Sequence, residues 1–238
     1  MSADIVPFTA NISDALLTDL KERLAKTRWP EQVGADWRYG TPVTYLQALC
    51  AYWANGFDWR AQEAKLNAFE QFATLIEGER LHFIHQRSPE PGARPLLLSH
   101  GWPGSVTEFL KVIDPLTNPR AYGGDAADAF HVVAPSIPGY GFSDAPREPG
   151  FDARAVARRF AALMARLGYE RYFAQGGDWG SAISTWIAAD DAAHCAAIHL
   201  NLVFVARPKE EPMAGVSQAE LDRVNQRAAY MADRKSVV

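Results

Sequence analysis

The first third of the chain carries apolar residues at helical spacing and predicts three helices. The first should begin after Ser13, a favourable N-cap residue, and run to about Lys26, before Trp29-Pro30 stops it. A second helix is predicted over 45–54 and a third over 59–69. Aromatic residues are frequent in this part of the chain, so we expect these helices to pack on something larger. The apolar positions that share one face of the first helix are Leu16, Leu17, Leu20 and Leu24.

From residue 80 the pattern changes to short apolar runs separated by amphipathic stretches. The run 80–86 alternates like a strand, and four later runs are apolar enough for buried strands. Strands alternating with helices predict an α/β fold with a largely parallel sheet, in which ligands bind at the carboxyl ends of strands. The four later strands are predicted at 96–99, 130–136, 172–177 and 195–202. Helical stretches are predicted up to about Ile113, from the Asp152 cap to Leu167, over 181–190 and over 217–233.

Composition narrows the class of protein without naming a function. The 238 residues are 48% hydrophobic and 22% charged, which is typical of a globular protein with a core. A net charge of -4 gives no basic surface for nucleic acid or an anionic membrane. Cys50 and Cys195 are expected to be buried free thiols in a reducing compartment. We see no secretory signal and no apolar stretch of transmembrane length, so we expect a cytoplasmic protein.

The stretch GGDWGS (176–181) places an aspartate where a strand should turn directly into a helix. It fits the pattern G-x-nucleophile-x-G of a nucleophile elbow, with aspartate at the central position. The carboxyl of Asp178 has an ordinary pKa of about 3.9, so it is ionised at pH 7 and can attack carbon without a base. The alternative is that Asp178 only caps the following helix.

A second motif, HGWPGS (100–105), follows another predicted strand. Its turn can offer the backbone N–H of Trp102, which with that of Trp179 would form an oxyanion hole. The alternative for this motif is a Gly-Pro turn that only reverses the chain.

The chain resembles epoxide hydrolases of the microsomal type, within the α/β-hydrolase superfamily. The resemblance covers roughly 5–230. It rests on an N-terminal extension containing RLAKTRWPEQ, WRYGTPVTYLQAL and YWANGFDWRAQEAKLNAFEQF, and on the core motifs SHGWPGS, APSIPGYGFSDAP and AQGGDWGS. It implies a mainly helical extension with the first strand over 1–92, and the first half of a hydrolase core with the start of a lid over 93–238.

The resemblance also implies the chemistry and the site. Asp178 would open an epoxide to an alkyl ester, which water then hydrolyses to a diol, with the Trp102 and Trp179 amides as oxyanion hole. Phe142, Trp179 and His100 would line the substrate site. The only small-molecule partners implied are an epoxide and water, with no metal and no other cofactor; the oligomeric state stays open.

The chain departs from the family pattern after Asp178. The family uses a late histidine base, an acidic partner and lid tyrosines, and we expect all of these beyond Val238. His194 and His199 are predicted to be structural. We expect Tyr230 to pack in the core, and Tyr140 to lie near the pocket on a turn where its ring can simply pack. The final KSVV suggests a truncated or frameshifted product. The predicted strand 195–202 would then be an exposed edge, prone to aggregation.

Two alternative functions remain open at this stage. Haloalkane and haloacid dehalogenases use the same aspartate, and an indole N–H at Trp179 could hold a leaving halide. The chain could also be a non-catalytic fragment that binds a partner.

Overall fold

The structure is a computed structural model that describes residues 4–203 and 215–234. Residues 4–203 lie in one compact unit built on a seven-stranded mixed sheet with the strand order β1-β2-β3-β5-β4-β6-β7. The pairs from β1 to β5 are antiparallel, and the pairs from β5 to β7 are parallel. The predicted α/β class is confirmed, but the expected parallel arrangement holds only for the four strands at the β7 side.

The strands are β1 (Val6–Phe8), β2 (Gln71–Ile76), β3 (Glu79–Gln86), β4 (Arg94–Ser99), β5 (Phe130–Pro135), β6 (Tyr172–Gly176) and β7 (Cys195–Leu200). The helices are α1 (Asp14–Ala25), α2 (Val43–Asn55), α3 (Trp59–Leu66), α4 (Ile113–Thr117), α5 (Ala153–Arg166), α6 (Trp179–Asp190) and α7 (Gln218–Arg234). The predicted caps are confirmed, since the Ser13 and Asp152 side chains each accept a backbone N–H of the helix that follows.

The sequence pattern did not predict two strands of the extension, β1 and β2. The polar and apolar residues of β2 are buried together, so its pattern lacks the alternation of a half-buried strand. A tight turn joins β2 to β3, with Glu77 and Gly78 both at positive φ (52° and 82°). Strand β3 then pairs with β5, so the extension and the core share one sheet across the predicted boundary at residue 92.

The sheet has a core layer on each face. Helices α5 and α6 cover one face with fully buried side chains that include Phe160, Leu163 and Ile187. Helix α4 and the segment before it cover the other face through Val106, Phe109 and Ile113. These two layers hold β4 and β6 rigidly, and the candidate site lies at the carboxyl ends of those two strands.

Several expectations need correction. The stretch after β4 is a 3₁₀ helix over Val106–Phe109, and a regular helix starts at Ile113 instead of ending there. Cys195 is buried as expected, but Cys50 is only half-buried; both are free thiols. Helices α1 and α2 contain no fully buried residue, and the aromatic side chains expected to pack there are largely exposed. The exposed aromatic residues of this region include Trp37, Tyr39, Tyr45, Tyr52 and Trp53.

Helix α7 belongs to a second unit and is described by itself. Its residue Tyr230 is 60% exposed, so the expectation that this ring packs in the core is wrong. The KSVV end lies outside the described residues. No described helix has both the length and the apolar character needed to cross a membrane.

Candidate active site

Asp178 lies at the junction of β6 and α6, on a strained backbone. Its φ of 51° and ψ of -124° are unusual for a residue with a side chain, which indicates a conformation held by its surroundings. Glycines make the turn possible on both sides. A Cβ on Gly176 would overlap the backbone of Gly180, and one on Gly180 would overlap the carbonyl of Ser99. The turn therefore has the geometry of a nucleophile elbow.

The Asp178 carboxylate points away from its own helix. The residue occupies the N-cap position of α6, but its side chain makes no cap hydrogen bond, so the helix-cap alternative is wrong. Instead Oδ1 accepts the backbone N–H of Trp102 at 2.8 Å. The amides of Trp102 and then Trp179 hold the pKa of this carboxyl below its ordinary value, and the residue is exposed. An ionised carboxylate thus faces the open side of the sheet with two amides beside it.

The turn after β4 approaches this carboxylate closely. A Cβ on Gly101 would lie 2.5 Å from the Cβ of Asp178 and 2.7 Å from its Oδ1, so only glycine fits there. The turn is closed by Gly104 N–H, which donates to the Gly101 carbonyl at 3.0 Å. Because this turn delivers the Trp102 amide to Asp178, it does more than reverse the chain.

His100 lies beneath the site and does not line it. The side chain is 1% exposed, and both ring nitrogens are engaged, with Ile137 N and with the Gly101 carbonyl. Burial lowers the pKa of His100, which keeps the ring neutral. The expectation that His100 contacts a substrate therefore needs correction, since it has no polar atom left to offer one.

The loop 136–144 brings aromatic residues toward the site. The Phe142 ring packs inward, against Phe8 (4.9 Å between centroids) and His82 (5.2 Å), and is half-buried. Tyr140 packs on the edge of His100 and also lines a cavity beside Trp179. The described contacts of Phe142 are thus with the core, while Tyr140, expected near the pocket, both packs on His100 and borders open space.

The cavity beside Trp179 has a volume of about 430 Å³ and a mainly apolar lining that also includes Asp152. It opens between the loop 136–144 and the first turns of α5 and α6. A larger groove of about 710 Å³ lies on the opposite face of the sheet, and Asp178 does not line it. Asp178 does not line the smaller cavity either, but the adjacent Trp179 does, so we associate the smaller cavity with the site. Its lining includes Ile137, Tyr140, Phe151, Val156, Trp179 and Ile183, of which Phe151 and the two helix residues carry no sequence signal of their own.

No histidine of the described segments forms a hydrogen bond or ion pair with the Asp178 carboxylate. His194 pairs with Asp191 (Nδ1 to Oδ1, 2.6 Å) at the α6–β7 turn, and His199 lies exposed on the edge strand β7. Within the same residues, no group of three or more His, Cys, Asp or Glu side chains could hold a metal ion. The described part of the site thus consists of one carboxylate, two backbone amides and an apolar cavity.

The sheet and the elbow together define the class of the protein, since this arrangement belongs to the α/β-hydrolases. Two family models match the chain in agreement with that class. The model of the epoxide hydrolase N terminus matches residues 5–109, and that of the alpha/beta hydrolase fold matches residues 94–227.

Individual relatives narrow the class to a family. The chain is 47% identical over 227 residues to an epoxide hydrolase-family protein of Stigmatella aurantiaca. The matched region covers 95% of this chain and 51% of the relative. It is 44% identical to Epoxide hydrolase 1 of Sus scrofa, over 85% of this chain and 46% of the relative. The solved structure of the Aspergillus niger epoxide hydrolase superposes with a TM-score of 0.81 at 36% identity, covering 98% of this chain and 61% of that one. The chain belongs to the epoxide hydrolase family, and it spans about half the length of the curated relatives it matches.

Proposed function

We propose that this chain carries the nucleophile and oxyanion hole of an enzyme that hydrolyses epoxides to diols. The observation that supports the proposal most directly is the exposed Asp178 carboxylate on its strained turn, with Oδ1 bonded to the Trp102 amide. A carboxylate whose pKa is lowered stays ionised at neutral pH, so it can attack without a base.

In the first step, one Asp178 oxygen attacks a carbon of the epoxide ring. A new C–O bond forms, the ring C–O bond breaks, and the ring oxygen leaves as an alkoxide that takes a proton from an acid or from water. The product is an alkyl ester of Asp178 that carries a neighbouring hydroxyl group. Oδ1, held by the Trp102 amide, is the oxygen expected to become the ester carbonyl, because its lone pair is already engaged.

In the second step, water attacks the ester carbonyl and negative charge develops on Oδ1. The Trp102 and Trp179 amides are proposed to stabilise that charge, and one such donor is worth about 10²–10³ in kcat in well-studied hydrolases. The tetrahedral intermediate then collapses: the bond between the carbonyl carbon and the alkyl oxygen breaks, that oxygen takes a proton and leaves as the second hydroxyl of the diol, and the Asp178 carboxylate is restored. Activating the water needs a base. Because no histidine of the described segments forms a hydrogen bond or ion pair with Asp178, we expect this second step to be slow in the 238-residue chain.

Intact-mass spectrometry after incubation with styrene oxide tests the proposal. We expect the folded chain to gain the mass of one epoxide, retained for longer than the time of its formation, and peptide mapping should locate it on Asp178. Asp178→Asn keeps the shape and removes the charge, and it should gain no mass. Asp190→Asn, which changes another helix-terminal carboxylate of low pKa, is the matched control and should label normally. An unmodified wild type with a native fold would refute the proposal.

The proposed partners are accordingly a small epoxide and water. We propose a cytoplasmic location, which the two free thiols support because such thiols persist in reducing compartments. Subcellular fractionation of a tagged chain tests it, and recovery with membranes or outside the cell would contradict it.

A further inference from the structure

The buried ring of His100 has one defined protonation state. Its Nε2 lies 3.1 Å from the backbone nitrogen of Ile137, which can only donate, so Nε2 must be the acceptor. The proton of the neutral ring is therefore on Nδ1, which donates to the Gly101 carbonyl at 3.0 Å. His100 thus links two separate segments, the loop after β5 and the turn after β4, through one hydrogen bond to each.

The Gly101 carbonyl belongs to the same peptide unit as the Trp102 amide. A peptide unit is planar, with its C=O and N–H pointing in opposite directions, so fixing the oxygen fixes the direction of the hydrogen. Two donors hold that oxygen, His100 Nδ1 and Gly104 N at 3.0 Å. At the other end of the plane, the Trp102 N–H donates to Asp178 Oδ1 at 2.8 Å.

The other segment that His100 holds is itself anchored to the sheet. Ser136 N–H donates to the His82 carbonyl at 2.9 Å, and Asp144 N–H donates to the Arg80 carbonyl at 2.9 Å. The Ser143 hydroxyl accepts the His82 N–H at 3.0 Å and donates to the Ser136 carbonyl at 2.8 Å. The loop 136–144 is therefore a fixed support, and His100 transmits its position to the peptide plane above.

We propose that His100 is a positioning residue for the oxyanion hole: its neutral ring sets the plane of the Gly101–Trp102 peptide and so aims the Trp102 amide at Asp178. The proposal rests on the proposed function for its catalytic consequence. The geometric claim itself concerns only the bond between the Trp102 amide and the Asp178 carboxylate.

Replacing His100 by Asn or by Gln tests its two hydrogen bonds separately. The Asn side-chain nitrogen sits where Nδ1 sits, so His100→Asn can keep the bond to the Gly101 carbonyl and lose the one to Ile137. The Gln oxygen reaches the position of Nε2, so His100→Gln can keep the bond to Ile137 and lose the one to Gly101. His85→Gln is the matched control, because His85 is also buried and hydrogen-bonded (Nε2 to Tyr169 Oη, 2.8 Å) but lies away from the site.

The readouts are the pKa of Asp178, followed by carbon NMR of labelled aspartate, and the shift of the Trp102 amide proton as Asp178 titrates. In His100→Gln we expect the Asp178 pKa to rise toward its ordinary value and the titration of the Trp102 amide to shrink. His100→Asn should restore both toward wild type, and His85→Gln should move neither. The Asp178 ester should also decay about tenfold more slowly in His100→Gln, since its oxyanion donor is misdirected.

If both His100 variants keep the wild-type pKa and amide titration and lose only thermal stability, as His85→Gln does, the positioning role is refuted. Equal losses in His100→Asn and His100→Gln would also refute it, because the bond to Gly101 would then not be the one that matters. If the wild type forms no ester but the Asp178 pKa and the Trp102 amide titration respond to the His100 variants as expected, the proposed function is refuted and the positioning role is supported.

Discussion

Two buried histidines on β3 should make the stability of this protein depend on pH at values above those at which its carboxylates titrate. His82 is 0% and His85 4% exposed, and burial lowers the pKa of each to about 4. An unfolded chain returns both to an ordinary pKa near 6.5. Between pH 6.5 and 4 the unfolded state therefore binds protons that the folded state does not, so the free energy of unfolding falls as the pH falls through this window.

The size of the effect follows from the two pKa values. Each histidine contributes a slope approaching 1.4 kcal/mol per pH unit inside the window. From pH 7 to pH 5 this amounts to about 2 kcal/mol for each ring, or about 4 kcal/mol for His82 and His85 together. That is a large share of the 5–15 kcal/mol by which globular domains are typically stable.

Urea unfolding at pH 5, 6, 7 and 8 measures this dependence. In His85→Gln the loss of stability from pH 7 to pH 5 should shrink by about 2 kcal/mol relative to wild type, whatever the variant costs at pH 8. Phe83→Leu, a buried change on the same strand without a titrating group, should lower stability equally at every pH. A wild type whose stability is flat between pH 7 and 5, or a His85→Gln chain with the full wild-type dependence, would refute the reasoning.

Three further changes test the site and its supports. Asp178→Gly should stabilise the fold by about 1 kcal/mol in urea unfolding, because it relieves a positive φ, while abolishing labelling by styrene oxide; a loss of stability would contradict the strain. Gly101→Ala should abolish labelling because its Cβ would occupy the space of the Asp178 carboxylate, whereas Gly92→Ala has open space and should label normally; labelling of the first variant would contradict the close approach. Arg159→Ala should cost about 3 kcal/mol by thermal or urea unfolding, because it leaves the buried Glu79 unpaired; a cost below 1 kcal/mol would mean that this pair is already hydrated.

The features that the sequence predicted best are those for which only a few residue types are suitable. The elbow was predictable because glycines flank Asp178 at the two positions where a side chain would strike backbone. The helix caps at Ser13 and Asp152 were predictable because their oxygens bond the adjacent amides. For the caps the cause lies within a few residues of the chain, whereas for the elbow one of the two glycines, Gly180, is required by Ser99 on the neighbouring strand.

Features that depend on distant partners could not be read in this way. Strand β2 buries Gln71 and Thr74 beside apolar residues, because His82 and Arg166 supply partners that no local pattern reveals. The resemblance implied that His100 lines the substrate site, but the backbone N–H of Ile137, 37 residues away, donates to its Nε2. The resemblance implied the same for Phe142 in the PGYGFS loop, whose ring packs against Phe8.

The strand order determines when each strand can pair during translation. Leu97 of β4 pairs with Val133 on one side and with Ala174 on the other, so the middle of the sheet has an open side until β6 has left the ribosome. Strand β5 closes first against β3, which was translated about fifty residues earlier, and the apolar run of β4 must wait for both neighbours. During that interval the nascent chain exposes the apolar residues 96–98 of β4, so we expect chaperone availability during translation to decide the soluble yield of this protein.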